Sequence, residues 1–207
     1  MGISSYILAP VRKMGLSRLK HERKRFRLLD ARDIGLVTVF SSLMAVVTLY
    51  AIPLPFGGIA HFGNTVMWTA SVLFGGLIGG LAGGIGGALA DLVLEPIWAP
   101  FDVLCKLASG IACGLVSAGI RSVNRTATVK IVLAVMVGAV VNLLAYAPVY
   151  WLLFGPGAAA LWLGRFFLPG PALVTYVVTP IITIAVMRAY PRTLAFRTSR
   201  RGIRRFI

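Results

Sequence analysis

Acidic residues are scarce in this chain: six Asp and Glu stand against 21 Lys and Arg. Histidine and cysteine are scarcer still, with two of each. Charged residues make up 13% of the chain, about half of what a soluble domain of this size carries. Each shortage excludes something. Cys105 and Cys113 stand eight positions apart on one expected helix. Helical rise separates them by roughly 12 Å, too far for a disulfide, so they read as packing residues. There is no CxxC or His/Cys cluster to hold a metal, and no cofactor is expected. The few acids do not form the dense set that acid–base or metal-assisted catalysis needs. A membrane-embedded lipid-modifying enzyme is therefore the weakest reading of the chain.

What the chain has instead is apolar length, with 58% of its residues hydrophobic. Ile34–Ile52, Thr65–Leu81, Phe101–Gly119, Ile131–Leu153 and Pro171–Met187 each approach the ~20 residues that a bilayer crossing needs. Ala82–Ile97 is shorter and apolar except for Asp91 and Glu95, and it can cross if buried among other helices. The expected fold is an all-α membrane protein of six transmembrane helices. Residues 1–33 form a basic N-terminal arm, 34–188 the six-helix domain, and 189–207 a basic tail. The arm is too long and too charged for the n-region of a cleavable signal peptide.

The cations test that topology. Nine of the 21 Lys and Arg precede the first span, seven lie at or beyond the end of the last, and Arg121, Arg125 and Lys130 flank the connection before the fifth. Six spans put these three regions on one face, which the positive-inside rule makes cytoplasmic. Both termini are then cytoplasmic, in a cell (inner) membrane of prokaryotic type. The opposite face holds 53–64, 95–100 and 154–170. The basic tails suit anionic lipid, at about 1 kcal/mol per residue near the surface, and residues 11–29 interleave cations with apolar residues as an interfacial helix does. No folded reading module accompanies the charge, so nucleic acid is not an expected partner.

Residues 53–114 depart from a generic bundle. Pro53-Leu54-Pro55-Phe56-Gly57-Gly58 breaks the first helix into a shaped outer loop, which ends on His61-Phe62-Gly63-Asn64. Paired glycines at 75–76, 79–80, 83–84 and 86–87 follow, at spacings that let helix backbones approach closely. Asp91, Glu95, Asp102 and Lys106 come next, and Asp102 and Lys106 at i and i+4 are placed to pair on one face. An intramembrane charge costs several kcal/mol unless paired or wet. Asp91 and Lys106 thus either tie two helices together or face a solute. Asn142, Tyr146 and Tyr150 share one face of the fifth span. A mid-span amide needs a helix or a ligand to bond. Trp98, Trp151 and Trp162 fit an interfacial aromatic belt.

The order of these features resembles the substrate-binding S component of energy-coupling factor (ECF) vitamin transporters, riboflavin-type subgroup. The resemblance rests on Phe62-Gly63-Asn64, Leu73-Phe74-Gly75, Gly84 to Asp91, Ala99-Pro100-Phe101 and Lys106 to Gly110, over roughly residues 34–120. It implies six helices with an extracytoplasmic pocket and one small water-soluble vitamin or precursor as substrate: riboflavin, a pyridoxine-like compound, a thiamine precursor or a queuosine precursor. It also implies docking on a transmembrane coupling protein driven by two ATPase subunits, through a small-xxx-small surface on the first span. Ser41 and Ala45 stand there in this chain. The family often has Asp where this chain has Asn64, so one charge is missing from the pocket rim.

The resulting expectation is a binding subunit without catalytic activity, gated by the loop 53–64. Its candidate substrate contacts are His61, Asn64, Asp91, Lys106, Asn142 and Tyr146. A stand-alone secondary carrier is the main rival. It would show an internal repeat or a proton relay, and residues 131–187 neither repeat 34–119 nor carry the ionisable groups.

Overall fold

The structure, a computed structural model, describes residues 29–50, 52–53, 59–60, 62–120, 122–164 and 174–190. His61, nearly all of the interfacial helix expected over 11–29, parts of both long outer loops and the tail beyond 190 lie outside the described residues.

Among the described residues seven α-helices follow one another: α1 (Ala31–Leu49), α2 (Gly63–Phe74), α3 (Gly76–Leu94), α4 (Ala99–Val116), α5 (Arg125–Phe154), α6 (Pro156–Gly164) and α7 (Thr179–Ala189). A π-helical turn, Val174–Val178, leads into α7. Between α1 and α2 a two-residue antiparallel ladder joins β1 (Ile52–Pro53) to β2 (Ile59–Ala60), with Ile52 opposite Ala60. Among the described residues α1, α3, α4 and α5 are long and apolar enough to cross a membrane, by length and composition. By helical rise α3 is about 28 Å long and α2 about 18 Å, against a hydrocarbon core of about 30 Å.

The chain divides into two units, Met1–Ile34 and Gly35–Ile207. In the first, the described residues open α1: the Asp33 carboxylate accepts from the Asp30 N–H at 3.1 Å, satisfying an amide that the first helical turn leaves over. The rest of α1 and every later element belong to the second unit.

One boundary differs from expectation. The sequence predicts spans over 65–81 and 82–97, but the helix breaks at Gly75, six residues before that division. Gly75 has φ +112°, a conformation open to glycine and costly for other residues. Its N–H closes α2 on the Ser71 carbonyl, and its own carbonyl accepts from Gly79 as α3 begins. A Cβ at Gly79 would collide with the Ser71 backbone, so the corner needs glycine at 75 for its conformation and at 79 for its closeness.

Glycine then sets the distance between α3 and α4. A Cβ on Gly80 would sit 2.7 Å from the Leu107 carbonyl oxygen, and one on Gly84 2.8 Å from that of Val103. Backbone meets backbone along the whole seam. α5 starts on a capped turn, with Asn124 Oδ1 accepting from the Ala127 N–H at 2.8 Å. It runs for 30 residues, through Pro148, to Gly155, where a positive φ turns the chain into α6.

The main core gathers Met44, Met67, Trp68, Val72, Cys113, Val135 and Met187. Polar rungs cross it. Thr65 and Thr69 on α2 bond Thr179 and Thr183 on α7 at 2.9 and 3.0 Å. Trp68 Nε1–H donates to Ser109 Oγ, whose hydroxyl donates to the Gly138 carbonyl. Leu104, Leu152 and Leu161 point outward from the bundle. That inversion of the soluble pattern is what lipid, as the outer solvent, permits.

Candidate solute-binding site

The end of the bundle where α3 gives way to α4 and where α5 finishes carries a buried polar network. Asp102 stands one turn into α4, and Lys106 follows one turn later on the same face. Their side chains pair at 2.5 Å and both are almost fully buried. Tyr146, across on α5, donates its hydroxyl hydrogen to the other Asp102 oxygen. The carboxylate thus has a cation on one oxygen and a phenol on the other, which is how a charge is tolerated away from water.

Gly87 backs directly onto this pair. A Cβ there would collide with Asp102 Oδ2 and sit 2.8 Å from Lys106 Nζ. Asp91, one turn further along α3, is half-buried, and its carboxyl interacts electrostatically with Asp102 and Lys106. Glu95 follows at the exposed end of the helix.

Hydrogen bonds set the register of α4 against α5. Ser109 reaches the Gly138 carbonyl at 2.8 Å, and the Cys105 thiol reaches that of Ala145 at 3.4 Å. The two helices run antiparallel, so Asn142 falls level with Lys106. It is buried to within 9% of full exclusion, and its amide oxygen has no hydrogen-bond partner. A buried acceptor left unmade costs about 1–3 kcal/mol.

Aromatic rings wall the network on its outer side. Trp98 packs on Tyr146 and Tyr150 with centroids 6.1 and 4.5 Å apart. Trp162, from α6, lies 5.6 Å from Tyr146 and stacks on Tyr150 at 4.6 Å with 16° between the planes. Its indole N–H donates to the Leu143 carbonyl at 2.9 Å, pinning α6 to α5.

Of the six residues expected to contact substrate, Asp91, Lys106, Asn142 and Tyr146 come together here. Asn64, in the first turn of α2, also has a buried amide oxygen without a partner. No hydrogen bond among the described residues joins it to the Asp102 network. His61 lies outside the described residues. Lys106 was open to pairing with Asp91 or facing a solute; its close ion pair is with Asp102, the i, i+4 partner. Trp162 and Tyr150 belong to the site wall. An interfacial-belt reading covers a Trp or Tyr at this depth equally well, and no local signal separates the two.

Ser41 and Ala45, expected on a docking surface, are placed differently from each other. Ser41 is buried, and its carbonyl oxygen sits 2.5 Å from where a Cβ on Gly86 would stand. Ala45 is half-buried. The outward face of α1 carries Thr38, Val39, Ser42, Leu43 and Val46. Among the described residues, no group of three or more His, Cys, Asp or Glu is placed to hold a metal ion.

Residues 29–190 match the family model for the S component of ECF-type riboflavin transporters. An uncharacterized protein in the gap 3′ region of Pyrococcus woesei is 39% identical over 112 residues, 54% of this chain and 72% of that one. A solved structure of the S component of a bacterial ECF transporter superposes with a TM-score of 0.58 at 17% identity, over 79% of this chain and 97% of that one. At that identity the likeness is one of fold.

Proposed function

The chain belongs to the family of ECF-type riboflavin transporter S components, which are transport subunits and not enzymes, and from that membership we propose that it captures one small water-soluble vitamin or precursor at the Asp102–Lys106–Tyr146 end of its bundle. In this proposal the chain crosses a cell membrane six times with both termini cytoplasmic. Its site opens to the extracytoplasmic side beneath the loop 53–64. Delivery inward requires an ECF transmembrane coupling protein and two ATPase subunits.

The buried Asn142 amide oxygen carries this reading. A purely structural network would have satisfied it, whereas a binding site leaves an acceptor for its ligand. The flat aromatic wall of Trp98, Tyr150 and Trp162 matches the ring systems of vitamins. Riboflavin, pyridoxine-like compounds, thiamine precursors and queuosine precursors all have such rings.

For docking, the outward face of α1 is offered to the coupling protein. Ser42 donates its hydroxyl to the Thr38 carbonyl at 3.0 Å, so its polar group is satisfied within the helix on an otherwise apolar face. The basic arm and tail are offered to anionic lipid. The test is mass spectrometry of small molecules released by denaturing the purified protein. A stoichiometric vitamin or precursor supports the reading. Release of lipid alone, with no co-purifying ATPase subunits, would count against it.

A further inference from the structure

Three helices meet at one knot inside the bundle. The Trp68 indole N–H on α2 donates to Ser109 Oγ on α4 at 2.9 Å, and that hydroxyl donates to the Gly138 carbonyl on α5 at 2.8 Å. The indole lies so close to α5 that a Cβ on Gly138 would sit 2.7 Å from Trp68 Nε1. Residues four apart share a helix face. One turn from the knot, towards the Asp102 end, the same faces carry Asn64 on α2, Cys105 on α4 and Asn142 on α5. A short amide thus stands on α2 where the wide indole stood, and a second amide stands on α5.

The two amides do not satisfy each other. Asn64 Oδ1 and Asn142 Oδ1 are both enclosed, and neither has a hydrogen-bond partner. Asn142 as a whole is 9% exposed. Their neighbours are provided for. The Cys105 thiol bonds the Ala145 carbonyl, and Tyr146 bonds Asp102. Asp91 and Asp102 share a side-chain hydrogen bond, and hence a proton, and Lys106 balances the pair. What this level lacks is two hydrogen-bond donors. Neither open group is charged, so neither calls for an ion.

We infer that Asn64 and Asn142 form a two-point acceptor, and that the ligand is an uncharged heteroaromatic molecule held by one N–H or O–H donor on each. The inference rests on the binding-subunit reading and deepens it by naming the chemistry of the substrate. Carboxylated and phosphorylated forms are rejected, because they bring acceptors to acceptors. Trp68 and Ser109, with their own hydrogen bonds already made, are the floor beneath the ligand.

Leucine has nearly the volume of asparagine and no polar atom, so Asn64→Leu and Asn142→Leu remove the two acceptors. Without ligand, each variant should melt at or above the parent temperature, because an unmet buried acceptor is gone. The probes are riboflavin with its N3-methyl derivative, and 7-cyano-7-deazaguanine with its N9-methyl derivative. Each methylation removes one ring N–H and leaves the charge unchanged. Equilibrium binding is measured to the detergent-purified full chain. The parent compound that binds should do so about 10- to 100-fold tighter than its methylated form, the range of one hydrogen bond to a buried acceptor. That preference should vanish in one of the two leucine variants.

The preference decides, since an amide that only holds helices together would not move it. Equal binding of parent and methylated probe, or a preference that survives in both variants, overturns the inference and leaves the binding-subunit reading standing. If no probe binds but a small molecule co-purifies, its structure decides instead. An uncharged ring compound with two or more N–H or O–H donors supports the inference, and a charged or donor-poor one overturns it. If no probe binds and nothing co-purifies, the inference and the reading fall together.

Discussion

Tyr146 on α5 and Lys106 on α4 share a single carboxylate, that of Asp102, one on each oxygen. The arrangement ties the two helices at the end of the bundle where the solute site is proposed. It also makes the three side chains energetically inseparable, because each sets the environment of the other two.

Tyr146→Phe removes the phenolic donor and leaves the ring in the aromatic wall. The Asp102 oxygen then has no neutral partner, which costs about 1–3 kcal/mol. Thermal unfolding in detergent should show a clear drop in midpoint. Affinity for the co-purifying solute should fall as well, since the carboxylate is freed to pull Lys106 out of register. An unchanged melting temperature would mean that this hydrogen bond contributes nothing.

The ion pair itself calls for a double-mutant cycle. Lys106→Met strands a buried carboxylate, and breaking a buried pair from one side costs about 3–5 kcal/mol. Asp102→Asn strands the ammonium in the same way. The double variant should lose less than the sum of the two, by at least about 1 kcal/mol, because residues in one network couple. Strict additivity of the unfolding free energies would show that the two side chains act separately.

Gly87→Ala is a sharper probe of the same pair. The added methyl meets Asp102 Oδ2 and Lys106 on a helix already held close to its neighbour by Gly80 and Gly84. Overpacking of this kind costs about 1–3 kcal/mol. Gly157→Ala, on α6, is the control, since nothing lies within 4 Å of its would-be Cβ. Solute affinity and melting temperature should both fall in the first variant, and neither in the second.

Some of this was legible in the sequence and some was not, for identifiable reasons. The i, i+4 spacing of Asp102 and Lys106 was enough to pair them, because a helix face is a local property. Tyr146 lies 44 residues from Asp102, and no local pattern links them. The long apolar runs located α1, α4 and α5. The division of α2 from α3 was misplaced because eight glycines between 75 and 87 offered equivalent breaks, and only backbone conformation selects Gly75. The orientation of α1 was hidden for a different reason. Lipid and protein interior are both apolar, so hydrophobic periodicity, which orients a helix in a soluble protein, carries little here. Small residues sit on both of its faces, and only packing against Gly86 turns Ser41 inward.

That orientation separates two neighbouring serines experimentally. Ser41 is buried against α3, while Ser42 is exposed and bonded only to its own helix. Ser42→Leu adds bulk to the proposed docking face without touching the solute site. It should leave solute affinity and melting temperature within about 0.5 kcal/mol of the parent, as surface changes do, and yet reduce recovery of the coupling protein and ATPases in a co-purification. Ser41→Leu forces a large side chain into the α1–α3 contact and should lower the melting temperature first, with any loss of the complex following from that. If Ser42→Leu assembles normally, the outward face of α1 is not where the coupling protein sits. If Ser41→Leu is the variant that loses its partners at full stability, the docking surface includes a face that is closed in this structure.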